Sequence, residues 1–369
     1  MKEVPLYRHP VDAVLHSKIC DSVRRVVDSN RYILGEEVYS FEREFADVMG
    51  AAHCVSVGNG TDALEIALRA AGVKASDRVG LVANAGFYGS TAVRTIGAEP
   101  VYADVCDSSL NLGVDQLAGL FVMRPKVIIV THLYGRLADI ERIVLAASRE
   151  GVQVIEDCAQ SHGAMRDGRF AGTFGVAGCF SFYPTKNLGA IGDGGAIITA
   201  DSNFAERVRQ IRQYGWSSKY RNELEGGRNS RLDEIQAAVL RVKLPYLRAW
   251  NDARRHIASR YNSAFADLPL QCPPPFDESS VAHLYTMRVA NREAFRRFMK
   301  EVGVATDVHY PVPDHQQAAY ASSTTVGTLL VTDASCNTVV TLPCFPGLTD
   351  EEVGHVIDSV LRYFAKERV

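Results

Sequence analysis

The sequence predicts an α/β layered domain followed by a smaller α+β domain. Two observations carry that reading. Between residues 53 and 200, short apolar runs rich in Val and Ile recur: "HCVSV", "RVGLVA", "EPVYADV", "KVIIVTHLYG", "VQVIED", "AGCFSFY" and "GAIITA". The helical stretches "GNGTDALEIALRAAG", "GFYGSTAVRTIG", "DSSLNLGVDQLAGLF" and "ADIERIVLAASREG" separate the first five of them. Near-continuous apolar strands parted by amphipathic helices specify a parallel sheet buried on both faces. The second observation is a change of texture after residue 245. A long amphipathic helix, "LRAWNDARRHIASRYNSAFADL", runs into the proline-rich "QCPPPFDESS". A strand, a helix, a strand and a closing helix follow, the last opened by Thr349 as a candidate N-cap. The expected domains are 1–245, with a helical N-terminal segment, and 246–369.

The elements before the sheet read as helices. "VDAVLHSKICDSVRRVVDS" and "EEVYSFEREFADVMG" carry apolar residues at three- and four-residue spacing, with the turn "NRYILGEE" between them. Of the 369 residues, 47% are apolar and 22% charged, an ordinary globular composition. The net charge of −3 gives no broad attraction to nucleic acid or membrane, so an anionic ligand needs a local site. None of the eight cysteines sits in a CxxC pair or a zinc-like spacing, so no metal is expected. "MKEVPLYRHPVDAVL" has no signal-like apolar core, and no segment approaches the roughly 20 apolar residues of a membrane span. A cytoplasmic setting is the expectation.

Three stretches carry candidate chemistry. Gly58-Asn59-Gly60-Thr61-Asp62 follows a strand and opens a helix. Glycines and a helix N-terminus suit a phosphate group, although a plain turn capped by Thr61 or Asp62 reads as well. In "VIEDCAQSHGA", Asp157 ends a strand, with Gln160 and His162 close behind. A carboxylate there suits a protonated ring nitrogen or simply caps the next turn. In "SFYPTKN", Lys186 stands between apolar residues and a glycine-rich turn. Desolvation favours its neutral, nucleophilic amine, unless the side chain snorkels to the surface. A phosphate cradle, a strand-end Asp and a shielded Lys together are the anchors of pyridoxal 5'-phosphate. Phe87 or Tyr88, in "NAGFYGST", is available to stack on its ring, or both pack in the core.

With "GAEPVYADV", "FSFYPTKNLGAIGDGGAIIT" and "NSRLDEIQAAVL" added, the chain resembles the DegT/DnrJ/EryC1/StrS sugar aminotransferases from about Leu6 to its C-terminus. The resemblance implies the aspartate aminotransferase-like fold (fold type I), with a mixed, mostly parallel sheet in the large domain. By the same resemblance Lys186 matches the lysine that binds the cofactor covalently, Asp157 the partner of its pyridine nitrogen, and Gln160 the neighbour of its phenolic oxygen. Gly60, Thr61 and Ser181 match phosphate ligands, and Tyr88 the stacking aromatic. Asn229 matches a residue that reaches the phosphate from a second subunit, so a homodimer with shared sites is implied. Some members carry histidine at the lysine position and dehydrate; the presence of Lys186 favours transamination.

"THLYGRLADI", "YPTKNLG" and "HYPVPDHQQAAY" look most like enzymes that aminate carbon 3 of dTDP-linked 3-keto-6-deoxyhexoses, with glutamate as amino donor. The 4-keto enzymes differ around His132-Leu133-Tyr134 and His309-Tyr310-Pro311. His309 and Tyr310 match a stretch near the sugar, and Tyr183 lies close to Lys186. Lys219 and Tyr220 match a segment that approaches the nucleotide phosphates from the partner chain, and Arg31, Tyr32 and Leu34 one near the nucleotide. A 4-keto-sugar or cyclitol aminotransferase, or a non-catalytic binder, are the alternatives. The binder reading expects loss of Lys186 or Asp157, and both are present.

Overall fold

The computed structural model describes residues 3–366. Two helices, α1 (Ala13–Ser29) and α2 (Glu36–Val48), precede the sheet. Asp12 starts α1 by accepting from the Leu15 N–H at 2.7 Å, and Asn30 ends it in the left-handed region at φ 54°. Strands and helices then alternate as β1 (His53–Val57), α3 (Gly60–Ala70), β2 (Arg78–Val82), α4 (Tyr88–Thr95), β3 (Glu99–Ala103), α5 (Leu117–Val122), β4 (Val127–Thr131), α6 (Ile140–Arg149) and β5 (Gln153–Asp157). A hairpin of β6 (Met165–Arg166) and β7 (Arg169–Phe170) leads to β8 (Ala177–Ser181), β9 (Gly195–Thr199) and α7 (Ser202–Ile211). A second hairpin, β10 (Trp216–Ser218) and β11 (Arg221–Asn222), precedes α8 (Glu234–Lys243) and α9 (Leu247–Phe265). The chain closes with β12 (Tyr285–Arg288), α10 (Arg292–Glu301), β13 (Thr324–Thr325), α11 (Leu330–Thr338), β14 (Val339–Leu342) and α12 (Asp350–Lys366).

One eight-stranded sheet holds the order β1-β9-β8-β5-β4-β2-β3-β13. It is mixed and mostly parallel, because β9 runs against both of its neighbours. The loop from β8 to β9 carries no helix, and it brings the chain back so that Ser181 pairs directly with Gly195. That loop carries Lys186. The ends of β4, β5 and β8 lie on one edge of the sheet, where α/β proteins place their ligand groups.

The antiparallel pair β12–β14 packs with α9, α10 and α12 around a second core that includes Tyr261, Phe265, Tyr285, Phe295, Val356 and Phe364. Thr349 and Glu352 cap α12 reciprocally: the Glu352 N–H donates to the Thr349 hydroxyl at 3.1 Å, and the Thr349 N–H to the Glu352 carboxylate at 2.9 Å. Two segments tie the two cores together. Val4 pairs with Val304 beside the second core. The strap from Asp307 to β13 returns to the large sheet, where β13 pairs with β3 and the Asp314 N–H donates to the Ala83 carbonyl at 2.7 Å. Among the described residues, no helix is long and apolar enough to cross a membrane.

Candidate active site

A cleft of about 700 Å³ opens at the strand ends between the sheet and the second core. Asp157, the last residue of β5, is buried in its wall. Its carboxylate accepts from the Ala159 N–H at 3.1 Å and from the Thr131 hydroxyl at 3.4 Å. It therefore does cap the turn that follows, and it lines the cleft as well. Burial raises its pKa, opposed by the Ala159 N–H and by the charge of Lys186.

Lys186 lies across the cleft in the loop between β8 and β9. The Lys186 N–H donates to the Tyr183 carbonyl at 2.8 Å, the Ala190 N–H to Phe182 at 2.8 Å, and the Phe182 N–H to Gly194 at 2.7 Å, so the loop closes on itself. Beside it, the Asn187 amide donates to Asn251 at 2.8 Å and to the Val281 carbonyl at 3.1 Å. These bonds fix the base of the lysine. Burial lowers the amine to about 8, against the pull of Asp157. That desolvation brings the neutral, nucleophilic amine within reach at mildly alkaline pH.

The turn before α3 completes the floor. Asn59, and neither Thr61 nor Asp62, caps this helix, accepting from the Asp62 N–H at 2.8 Å. Asp62 is taken up by the Ser230 hydroxyl at 2.6 Å and by Arg228 at 2.9 Å. Helix geometry leaves the Gly60 and Thr61 N–H groups without an intrahelical acceptor. A Cβ on Gly60 would stand 2.7 Å from the Ser181 Cβ, so only glycine lets this turn close against β8. Gly60, Thr61 and Ser181 all line the cleft, a ready cradle for a phosphate.

The family model of DegT/DnrJ/EryC1/StrS aminotransferases matches residues 14–361. The chain belongs to that family. It is an aminotransferase dependent on pyridoxal 5'-phosphate, as family and neighbours indicate. It is 42% identical over 347 residues to the dTDP-3-amino-3,6-dideoxy-alpha-D-galactopyranose transaminase of Aneurinibacillus thermoaerophilus, covering 94% of this chain and 95% of that one. It is 37% identical over 352 residues to the UDP-N-acetyl-3-dehydro-alpha-D-glucosamine 3-aminotransferase of Acidithiobacillus ferrooxidans, covering 95% of each. The structure of NtdA from Bacillus subtilis with bound cofactor PMP superposes with a TM-score of 0.92 at 27% identity, over 99% of this chain and 86% of that one. The donor set of the cleft fits the cofactor: a glycine cradle, a buried carboxylate and a desolvated lysine converge on one space.

The aminotransferase places the remaining sequence candidates in two groups. Tyr88, Gln160, Tyr183, His309 and Tyr310 line the cleft. Phe87 does not; it sits at the N-cap of α4 in the left-handed region, its ring 5.2 Å from that of Tyr88. Gln160 accepts from the Tyr134 N–H at 2.6 Å and donates to the Tyr310 hydroxyl at 3.3 Å. The Tyr134 hydroxyl donates to the His309 carbonyl, which joins the two regions that the sequence singles out for substrate choice. His132 is elsewhere, buried against Glu156 at 2.9 Å. His162 packs between Phe180 and Phe182, where burial lowers it to about 3. Arg31, Tyr32, Leu34, Lys219, Tyr220 and Asn229 lie outside this cleft. Lys219 and Tyr220 form the tip of the β10–β11 hairpin, with Tyr220 82% exposed.

Several cleft residues escape the sequence reading. Tyr7 donates its hydroxyl to the Pro184 carbonyl at 2.9 Å. His283 bonds Asn187 at 3.0 Å, and burial keeps it neutral. Arg254, on α9, spans the carbonyls of His283 at 3.0 Å and Cys344 at 2.5 Å. None sits in a local motif, so only the folded chain brings them to Lys186.

Proposed function

We propose that the aminotransferase moves an amino group from glutamate to carbon 3 of a dTDP-linked 3-keto-6-deoxyhexose. The observation that carries this reading is the convergence of Lys186 and Asp157 in one cleft beneath the strap that bears His309 and Tyr310. The bound cofactor supplies a carbon that takes up and releases an amino group, and a ring that spreads the charge left by proton removal. Asp157 would hold the ring nitrogen protonated. Gly60, Thr61 and Ser181 would receive the phosphate, Tyr88 would cover one ring face, and Gln160 would stand beside the phenolic oxygen. Lys186 would hold the cofactor at rest, and its Nζ, when free, would take and return the proton at the substrate carbon. His309, Tyr310 and Tyr183 face the sugar.

The six candidates outside the cleft are assigned to the partner's site in a homodimer. Asn229 reaches the phosphate, Lys219 and Tyr220 the nucleotide diphosphate, and Arg31, Tyr32 and Leu34 the nucleotide. Lys219 suits that role as a flexible point charge.

Both relatives named above carry an amino or 3-dehydro function at carbon 3 in their names, which supports the position. They differ in the nucleotide, so a UDP-linked 3-keto sugar is the second reading. The deciding experiment is the visible spectrum of the holoenzyme. Glutamate should abolish the resting cofactor band, and a dTDP-3-keto-6-deoxyhexose should restore it. Restoration only by the UDP-linked or a 4-keto sugar would replace the substrate and keep the chemistry. A protein with no band in the presence of added cofactor would end the reading.

A further inference from the structure

The strap that bears His309 and Tyr310 is fastened by a carboxylate that the chemistry leaves unused. Asp314 is 1% exposed. One of its oxygens accepts from the Phe87 N–H at 2.9 Å and the other from the Ser90 hydroxyl at 2.5 Å. Ser90 accepts in turn from the Tyr102 hydroxyl at 2.8 Å. Among the described residues no cation pairs with Asp314. A buried, unpaired carboxylate is costly, and the N-terminal N–H groups of α4 offset only part of that cost. Burial accordingly pushes its pKa up to about 6. An apolar residue would fill this place at less expense, so the carboxylate invites a role in what it holds.

What it holds is the turn that presents Tyr88. Gly86 and Phe87 are both left-handed, at φ 81° and 61°. The Tyr310 ring lies on Gly86 so closely that a Cβ there would stand 2.8 Å from it. The Tyr88 and Tyr310 rings, both in the cleft wall, are 6.2 Å apart at 72°. Asp314 and Tyr310 thus grip the same turn from one strap. We propose that Asp314 is a positioning residue: by binding the turn before Tyr88, it sets the gap between the Tyr88 and Tyr310 rings, and with it the fit of the nucleotide sugar over the cofactor. This inference rests on the assignment of the cleft made above.

The test uses the holoenzyme with Asp314→Ala, Asp314→Asn and Ser90→Ala. Four quantities are read: melting temperature, visible circular dichroism of the bound cofactor, rate of the glutamate half-reaction, and KM for the nucleotide sugar. Asp314→Ala should raise that KM about tenfold or more, since small misplacements cost that much. It should alter the dichroism and slow the glutamate half-reaction clearly less than the sugar half-reaction, because Tyr310 is assigned to the sugar and Tyr88 to the cofactor that both halves share. Asp314→Asn and Ser90→Ala, each keeping part of the grip, should fall between. Unchanged dichroism and KM with only a lower melting temperature would reduce Asp314 to a helix cap and overturn the proposal. So would an equal fall in both half-reactions. If Asp314→Ala does not fold, the two milder variants decide by the same readings. If the wild type turns over no dTDP sugar, the substrate assignment fails, and the dichroism of the variants still judges Asp314.

Discussion

Glu156 and Asp157 are neighbours on β5 whose carboxylates serve opposite faces of the sheet. Asp157 lines the cleft, whereas Glu156 accepts from the N–H groups of Gly172 at 2.8 Å, Phe174 at 2.7 Å and Gly175 at 2.8 Å. His132 Nδ1 accepts from the Ala138 N–H at 3.2 Å, so its Nε2 carries the proton donated to Glu156. Strand alternation makes one residue a candidate for chemistry and the next a buried fastening. Asp157→Asn should lower kcat by on the order of 10²-fold with little change in melting temperature. Glu156→Gln leaves donors facing donors and should cost roughly 2–3 kcal/mol of stability, with activity per folded molecule within a few-fold. Paired turnover and melting measurements separate the two.

The lowered pKa of Lys186 predicts how the apoprotein recaptures cofactor. Its amine is charged below about 8 and neutral above it. The recapture rate, followed by the visible band, should therefore rise with pH through about 8 and then level off. The sign for stability is the same. Between the folded value near 8 and the ordinary value of 10.5, the unfolded chain binds the extra proton, so apoprotein stability should climb with pH across that window. A recapture rate flat from acid to mildly alkaline pH would contradict the desolvated lysine.

Closeness at the phosphate turn yields a steric prediction. Gly60→Ala introduces a Cβ at 2.7 Å from Ser181, against β8 rather than against a flexible tip. Titration of the apoprotein should show cofactor affinity reduced about tenfold or more, as cradle and strand are forced apart.

Shared sites would show in hybrids. Lys186→Ala and Lys219→Ala chains should each be impaired as homodimers. In a mixed dimer, one site combines both defects and the other has neither. Equilibrating the two impaired preparations should therefore raise activity above that of either one. No recovery, with hybrids demonstrated by mass, would place Lys219 in its own protomer's site or outside any site.

How much was legible in the chain depends on whether a signal is local. The strands read correctly because buried Val and Ile runs leave few other options. The reversed direction of β9 did not, since a strand buried on both faces looks alike either way. Lys186 stands out because a lysine among apolar residues is uncommon. At Gly58–Asp62 the turn was plain, but three capping side chains compete there, and only the hydrogen bond of Asn59 separates them. Arg254, His283 and Tyr7 reach the cleft from distant segments with no pattern of their own. Asp314 reads as an ordinary loop residue until the partner at Phe87 is visible.

The pairing of Val4 with Val304 sets an order of events during synthesis. Val4 has its partner only after residue 304 has been made. Tyr7 then reaches Pro184 beside the lysine loop, and Arg8 reaches Glu352 on the last helix at 2.7 Å. The segment from Val4 to Arg8 is thus a fastening across both cores that is completed only once the second core has been made.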